Sequence, residues 1–239
     1  MEYSGYDQKF EAGGIRLYQA DCMKMLPQIP DKYYNLCICD PPYGIGDCVS
    51  SVSAHRHKKM VWNETPPPPA YFRELERVSK NRIIWGVNYY VAIPFPVGRI
   101  IHDKLNGDCQ SSSLSDADIA SQSFNNLIKI YPYRWRGNVQ GRGINWKNNG
   151  IDSKIHPAQK PVALYEYLLQ NYAKPGDRIL DTHGGSGSIC IACDIMGFDL
   201  DWYEIDRDYY EAAKDRLERH QRQFVLPLND SACILVEAS

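Results

Sequence analysis

Asp40, Pro41, Pro42 and Tyr43 stand together in the stretch CICDPPYGIG, directly after a short apolar run. Their types suit one kind of chemistry. The two prolines carry no backbone donor and stiffen the chain, so the turn aims carbonyl acceptors outward. With the Asp40 carboxylate beside them and the flat ring of Tyr43 next to it, the result is an acceptor-rich pocket with a stacking platform. Gly44 and Gly46 allow another group to approach closely. Such a pocket fits a planar heterocycle with an exocyclic amine. Asp40 and the Pro41 carbonyl each accept one amine hydrogen while Tyr43 stacks on the ring. Accepting both hydrogens turns the nitrogen lone pair out of conjugation and toward an electrophile. Alone, the tetrapeptide reads equally well as a turn; its place at the end of an apolar strand favours chemistry.

A second group of residues suits a cofactor. In RILDTHGGSGSICIACDIMGF a strand ends at Asp181, a turn with Gly184, Gly185 and Gly187 follows, and a helix begins near Ser186. A glycine turn opening a helix lets backbone amides approach a nucleotide-like ligand. The turn lacks the Gly-Lys-Ser/Thr ending of a phosphate loop and the G-x-G-x-x-G spacing, which disfavours ATP and NAD. Glu204 ends the next strand roughly 20 residues further on, the offset at which an acid reaches ribose hydroxyls. A nucleoside cofactor without a triphosphate remains.

Both groups hang on strand ends, so the fold must bring those ends together. IRLYQ (15–19), NLCIC (35–39), RIIWG (82–86), GRIIH (98–102), RIL (178–180) and FDLDWYE (198–204) read as strands. AYFRELERVS, PVALYEYLLQNYA and RDYYEAAKDRLERHQRQF read as helices between them. This alternation predicts an α/β fold with a mostly parallel sheet covered on both faces and ligands at the carboxyl ends. Two stretches interrupt it. Residues 46–69 are loop-like and end in the run Pro66–Pro69, an extended connector. Residues 103–155 are polar and too long for an ordinary connection. At 239 residues, the chain is read as a single domain over 1–239 with an insertion at 103–155 and a cofactor-binding half at 156–220.

The net charge of −2 excludes a wholly basic binder but not a nucleic acid, which needs only one positive face. Lys129, Arg134, Arg136, Arg142, Lys147 and Lys154 face the single acid Asp152, with Tyr131, Tyr133, Trp135 and Trp146 interleaved. The two tryptophans are expected to hold the insertion onto the sheet. The eight cysteines are scattered; Cys190 and Cys193 fall in a helix that reads as buried, so core packing is expected and no metal. His183 is expected to make a local hydrogen bond and His156 to order the HPAQKP turn. Asn88 either approaches the base pocket or ends a strand. MEYSGYDQKF does not resemble a secretory signal and no apolar run matches a bilayer span, so a soluble, cytoplasmic protein is expected.

DPPYG, HPAQKPVALYEYLLQNYAKPGD, LDTHGGSGS and FDLDWYEIDRDYYEAAKDRL, in that order, resemble the permuted (beta-class) amino-methyltransferases of DNA. In these the catalytic half precedes the S-adenosylmethionine half. The likeness is nearest to small, phage-type, adenine-specific enzymes; it runs from Leu17 to about His220 and is weakest over 105–150. It implies a Rossmann-like methyltransferase sheet, S-adenosylmethionine as cofactor, double-stranded DNA as partner and a target-recognition role for 103–155. By this resemblance Asp40, Pro41, Pro42 and Tyr43 hold the target base, with Asp40 also facing the cofactor. Asp181, Gly185 and Gly187 shape the cofactor pocket and Glu204 binds the ribose. Asp21 matches an acid near the cofactor adenine; Lys160 and Pro161 match the segment beside its methionine end. Arg56, Lys58 and Lys59, in the cluster His55–Lys59, are candidate phosphate contacts, and Arg134, Arg136, Arg142 and Lys147 candidate DNA contacts in the insertion. Two departures stand out: Asp181-Thr182-His183 replaces the family's D-P-F in the cofactor pocket, and His102-Asp103-Lys104 replaces Trp-Asp-Lys, a change expected to touch only packing. In the family, serine at position 40 favours cytosine and asparagine a glutamine amide; Asp40 favours the 6-amino group of adenine. The same chemistry on cytosine, RNA or a glutamine amide, a catalytically silent DNA-binding module, and a homodimer all stay open.

Overall fold

A computed structural model describes residues 3–46, 63, 65–107, 115–136, 139–141, 155–156 and 158–223. The strands are β1 (Gln8–Ala12), β2 (Ile15–Gln19), β3 (Tyr34–Cys39), β4 (Ser79–Trp85), β5 (Gly98–Asp103), β6 (Ala117–Gln122), β7 (Ile128–Pro132), β8 (Arg134–Arg136), β9 (Val139–Gly141), β10 (Arg178–Asp181) and β11 (Asp199–Glu204). The helices are α1 (Cys22–Met25), α2 (Pro69–Val78), α3 (Val162–Tyr172), α4 (Ser188–Met196) and α5 (Arg207–Gln223).

Nine strands form one sheet in the order β1-β2-β11-β10-β3-β4-β6-β5-β7. Its centre, β2-β11-β10-β3-β4, is parallel throughout. The reason lies in composition: YNLCIC of β3 and LDWY of β11 are buried at almost every position, as expected of strands covered on both faces. One core, including Ile15, Leu36, Ile179, Leu200 and Trp202, lies under α3, α4 and α5. The other, including Met25, Cys37, Leu75, Val78 and Leu180, lies under α1 and α2.

Local signals set the helix limits. Helix α2 opens with Pro69 in its first turn, where a missing amide costs nothing. Helix α4 is bracketed by Gly187 (φ 68°) and Gly197 (φ 72°), both left-handed. Cys190 and Cys193 lie on α4, fully buried in the core.

The stretch 103–155 is more than an insertion. Strand β6 lies antiparallel between β4 and β5, and β7 pairs parallel with β5 at the sheet edge. ADIASQ is polar yet interior, because its buried Gln122 donates to Asn125 O at 2.8 Å and accepts from Phe124 N at 2.8 Å. Side-chain bonding replaces the apolar alternation by which a strand is usually recognised. β8 and β9 form a separate hairpin.

Candidate active site

The carboxyl ends of β2, β11, β10, β3 and β4 lie along one edge of the sheet, and the candidate residues follow them. Asp40 comes directly after β3. Its Oδ1 accepts from the Tyr43 hydroxyl at 2.5 Å and its Oδ2 from Lys160 Nζ at 2.5 Å. Tyr90 donates its hydroxyl to the carbonyls of Pro41 (2.8 Å) and Pro42 (3.1 Å). The ring of Tyr89 stacks on Tyr43 with centroids 4.7 Å apart and planes 15° from parallel. Each acceptor and the aromatic face read from the sequence therefore has an internal partner. Burial and then the Asp40 charge raise the Tyr43 phenol well above its ordinary value, so it remains a neutral donor.

The loop is fixed from three sides. Asn63 Oδ1 accepts from Tyr43 N at 2.8 Å, while its Nδ2 donates to Gly46 O at 2.8 Å. The room left by Gly44 is taken by Pro66, whose Cδ is 2.4 Å from where a Cβ would stand. At Gly86, just past β4, a Cβ would sit 2.1 Å from the Tyr43 ring. Tyr89, Tyr90 and Asn63 carry no motif of their own; the signal for the tyrosines is GVNYY following a strand at the ligand edge. Asn88 itself is exposed in the turn.

Lys160, which the resemblance sets beside the methionine end of the cofactor, reaches Asp40. Its side chain is 6% exposed, and its ammonium lies 5.3 Å over the Trp85 ring and 3.8 Å from Asp118 Oδ2. Burial disfavours this charge, but Asp40 and Asp118 outweigh it and raise the lysine above its usual value. Asp118 Oδ1 accepts from Lys104 Nζ at 2.9 Å. His102 donates Nε2–H to Tyr133 O at 3.0 Å, is fully buried, and is pushed down to about 4 by burial. Of the triplet His102-Asp103-Lys104, expected to affect only packing, neutral His102 and charged Lys104 lie against Asp118, while the Asp103 carboxylate accepts from Leu105, Asn106 and Gly107 N–H in the turn that follows.

Beside this lies a small cleft lined by Ala20, Asp21, Cys22, Thr182, His183, Glu204 and Ile205. Asp21 caps α1, accepting Met23 N–H at 2.9 Å. Glu204 accepts Gly185 N–H through Oε2 and Asp206 N–H through Oε1, both at 2.8 Å, and burial raises its carboxyl above the ordinary value. Asp181, Gly185, Gly187, Lys160 and Asp40 are not among the lining residues. Asp181 is buried, accepts His183 N–H at 3.0 Å and is held well above the usual carboxylate range by burial. It shapes the turn. Gly184 has the Trp202 indole against it, 1.7 Å from where a Cβ would stand, so only glycine fits.

Thr182 and His183, the departure from D-P-F, are integrated locally. The Tyr71 hydroxyl is 2.7 Å from Thr182 Oγ1 and 3.2 Å from His183 Nδ1. Burial pushes His183 down to about 4, so its imidazole is neutral near pH 7. Cys39 Sγ lies 3.1 Å from Thr182 Oγ1, which makes Asp40 the chain neighbour of a residue in contact with the cleft wall.

The remaining candidates divide. Arg134 lies in β8, partly exposed; Arg136 ends that strand, and its side chain is outside the described residues. Arg56, Lys58, Lys59, Arg142, Lys147 and Trp146 also fall outside them. Trp135 is buried and donates Nε1–H to Gln159 O at 2.6 Å, which ties it to the turn before α3. His156 Nδ1 accepts Ala158 N–H at 3.2 Å within the HPAQKP turn. Among the described residues no cluster could hold a metal and no helix is long and apolar enough to cross a membrane.

The DNA methylase (N6/N4 methyltransferase) family pattern matches residues 110–215. Over 237 residues the chain is 38% identical to the type II methyltransferase M.HpaI of Haemophilus parainfluenzae, covering 85% of this chain and 74% of that one. The chain belongs to the DNA methylase family. It is also 33% identical to the putative methylase YubD of Escherichia coli (strain K12), with 87% and 92% coverage. In fold, this DNA methylase is similar to PvuII DNA methyltransferase (cytosine-N4-specific), TM-score 0.57 at 12% identity over 91% of this chain and 94% of that one. It is likewise similar to M1.HpyAVI in complex with SAM, TM-score 0.51 at 20% identity over 85% of this chain and all of that one. The cofactor of the family is S-adenosylmethionine. The cleft fits its adenosyl part: two carboxylates are placed to accept hydroxyl or amine hydrogens, and the rest of the wall is neutral or apolar.

Proposed function

We propose that this DNA methylase transfers a methyl group to the 6-amino nitrogen of an adenine turned out of double-stranded DNA. The observation that carries the reading is the Asp40 carboxylate beside Tyr43, one residue from Cys39, whose thiol touches the cleft wall at Thr182. Aspartate at this position, with the resemblance to adenine-specific enzymes, supports adenine.

S-adenosylmethionine, when bound, supplies a methyl group on a positively charged sulfur. Asp21 and Glu204 would hold the adenosyl part, while His183, held neutral, adds no positive charge to the cleft wall. At the other end, Tyr90 fixes the Pro41 and Pro42 carbonyls in place. The base enters where Tyr89 now stacks on Tyr43, and its amine replaces the Tyr43 hydroxyl or the Lys160 ammonium on Asp40. Asp40 and the Pro41 carbonyl draw on the two N–H groups, which exposes the lone pair. The nitrogen would gain the methyl as the methyl–sulfur bond breaks, its electron pair staying on sulfur so that S-adenosylhomocysteine leaves as a neutral thioether, and the proton the nitrogen sheds passes to the Asp40 carboxylate and then to water. Extruding the base costs a few kcal/mol, and stacking on Tyr43 returns about 1–3 kcal/mol. Arg134 and the basic residues around it, with His55–Lys59, supply phosphate contacts for the remainder.

The test uses tritiated S-adenosylmethionine and plasmid DNA from a methylation-deficient host. Asp40→Ala should bind the cofactor and transfer less than about one-hundredth of the wild-type rate, the scale of losing a preorganised electrostatic group. A rate above about a tenth of wild type removes Asp40 from the role.

A further inference from the structure

The Asp40 carboxylate faces a conflict. Its Oδ2 is engaged by a buried ammonium at 2.5 Å, yet the reaction proposed above needs that carboxylate for an incoming amine. The Lys160 side chain is 6% exposed and is seated over Trp85. Releasing it into an uncompensated interior is strongly unfavourable, because a buried charge without a partner loses both hydration and attraction.

A second anion stands within reach. Asp118 Oδ2 is 3.8 Å from Lys160 Nζ, so a movement of about an ångström makes it a direct ion pair at ordinary hydrogen-bond distance. Asp118 is held ready from its other side. Its Oδ1 is fixed by Lys104 at 2.9 Å, and Oδ2 has His102 Nδ1 at 3.9 Å. That nitrogen has no hydrogen-bond partner among the described residues, and its ring is fully buried.

We propose that Asp118 is a positioning residue that receives Lys160 when the target amine takes its place on Asp40. The lysine thus has two seats, one on Asp40 in the resting enzyme and one on Asp118 in the productive complex. The inference rests on reading Asp40 as the acceptor of the substrate amine. The charged and titratable groups facing Lys160 are Asp40 and Tyr43 from the β3 loop, Asp118 from β6, His102 from β5 and Lys104 just after it, and Asp181 from β10. His102 is neutral, so Lys104 is the only competing cation on Asp118 among them.

Asp118→Asn removes the second seat. Single-turnover methyl transfer to plasmid DNA should fall about ten-fold or more at pH 7, with cofactor affinity by calorimetry unchanged. The lost rate should return as pH rises from about 7 to 9.5, because a lysine with one anion fewer gives up its proton more readily and a neutral amine can leave Asp40. The wild-type rate should be flat across the same range. In a Lys160→Met background, Asp118→Asn should cost nothing further. Lys104→Gln, which frees Asp118 for Lys160, should keep or raise the rate, and it carries the test if Asp118→Asn does not fold. An active wild type with an unchanged Asp118→Asn rate and pH profile overturns the inference alone. So does an undiminished Asp118→Asn effect in the Lys160→Met background, or a loss in Lys104→Gln matching that of Asp118→Asn. A wild type that methylates no DNA overturns the reading of the site itself.

Discussion

Gly86→Ala should disable the enzyme by moving one ring. Gly86 has φ +74°, a conformation that costs an L-residue about 1–2 kcal/mol. The new Cβ would stand 2.1 Å from Tyr43 Cε1, 2.5 Å from Cδ1 and 2.9 Å from Cζ. Carbon atoms pack at about 3.5 Å or more, so the ring must retreat by roughly 1.4 Å or the backbone must shift as far. Tyr89 stacks on one face of the ring and Tyr90 meets it edge-on at 6.3 Å, which limits the directions of retreat. The 2.5 Å bond from Tyr43 to Asp40 is then lost. A misplacement of about 1 Å at a reacting centre costs on the order of a hundred-fold in rate. The cofactor cleft does not include Gly86, so cofactor affinity should hold. The assay pairs tritium transfer to DNA with calorimetry of S-adenosylmethionine binding. A variant within about three-fold of wild type on both measures would show that the ring's placement is immaterial, against the expected hundred-fold loss.

Glu204→Gln replaces one acceptor oxygen by an amide NH2 donor that opposes either Gly185 N–H or Asp206 N–H, and removes a charged acceptor from the cleft. Cofactor affinity should fall by about 1.5–3 kcal/mol by calorimetry. Burial raises the carboxyl of Glu204, so its charge is lost at a higher pH than for an ordinary glutamate; wild-type affinity should weaken as pH falls through that raised value. Glu204→Gln should remove this pH dependence, and an identical profile would contradict the ribose assignment. Arg134→Ala separates two kinds of DNA contact in salt-dependent binding. A phosphate contact lowers the slope of log affinity against log salt by about 0.9 for all sequences. A base contact costs about 1–3 kcal/mol at one position of the site. No change in either removes Arg134 from the interface.

The parallel strands were legible because each carries its own signal. IRLYQ, NLCIC and RIL end where β2, β3 and β10 end, or within a residue, and the helix over 161–173 is α3 with its flanks. Local apolar content decides such elements before tertiary contacts matter. Strand β6 was hidden because its interior residues are polar and satisfied by side chains that sequence spacing does not reveal. The site divides in the same way. Asp40, Tyr43, Gly184 and Glu204 were readable from their place at strand ends. The partners that occupy them were not, since Tyr90 meets Pro41 across 49 residues and Lys160 meets Asp40 across 120. The resemblance sets Lys160 on the cofactor side, while its charge partner depends on how the turn leading into α3 meets the end of β3.

The most direct test of adenine as the target is nucleoside mass spectrometry of DNA from a methylation-deficient host expressing the chain. N6-methyladenine should appear with the wild type and be absent with Asp40→Ala. N4-methylcytosine in its place, or N6-methyladenine persisting in Asp40→Ala, contradicts the account.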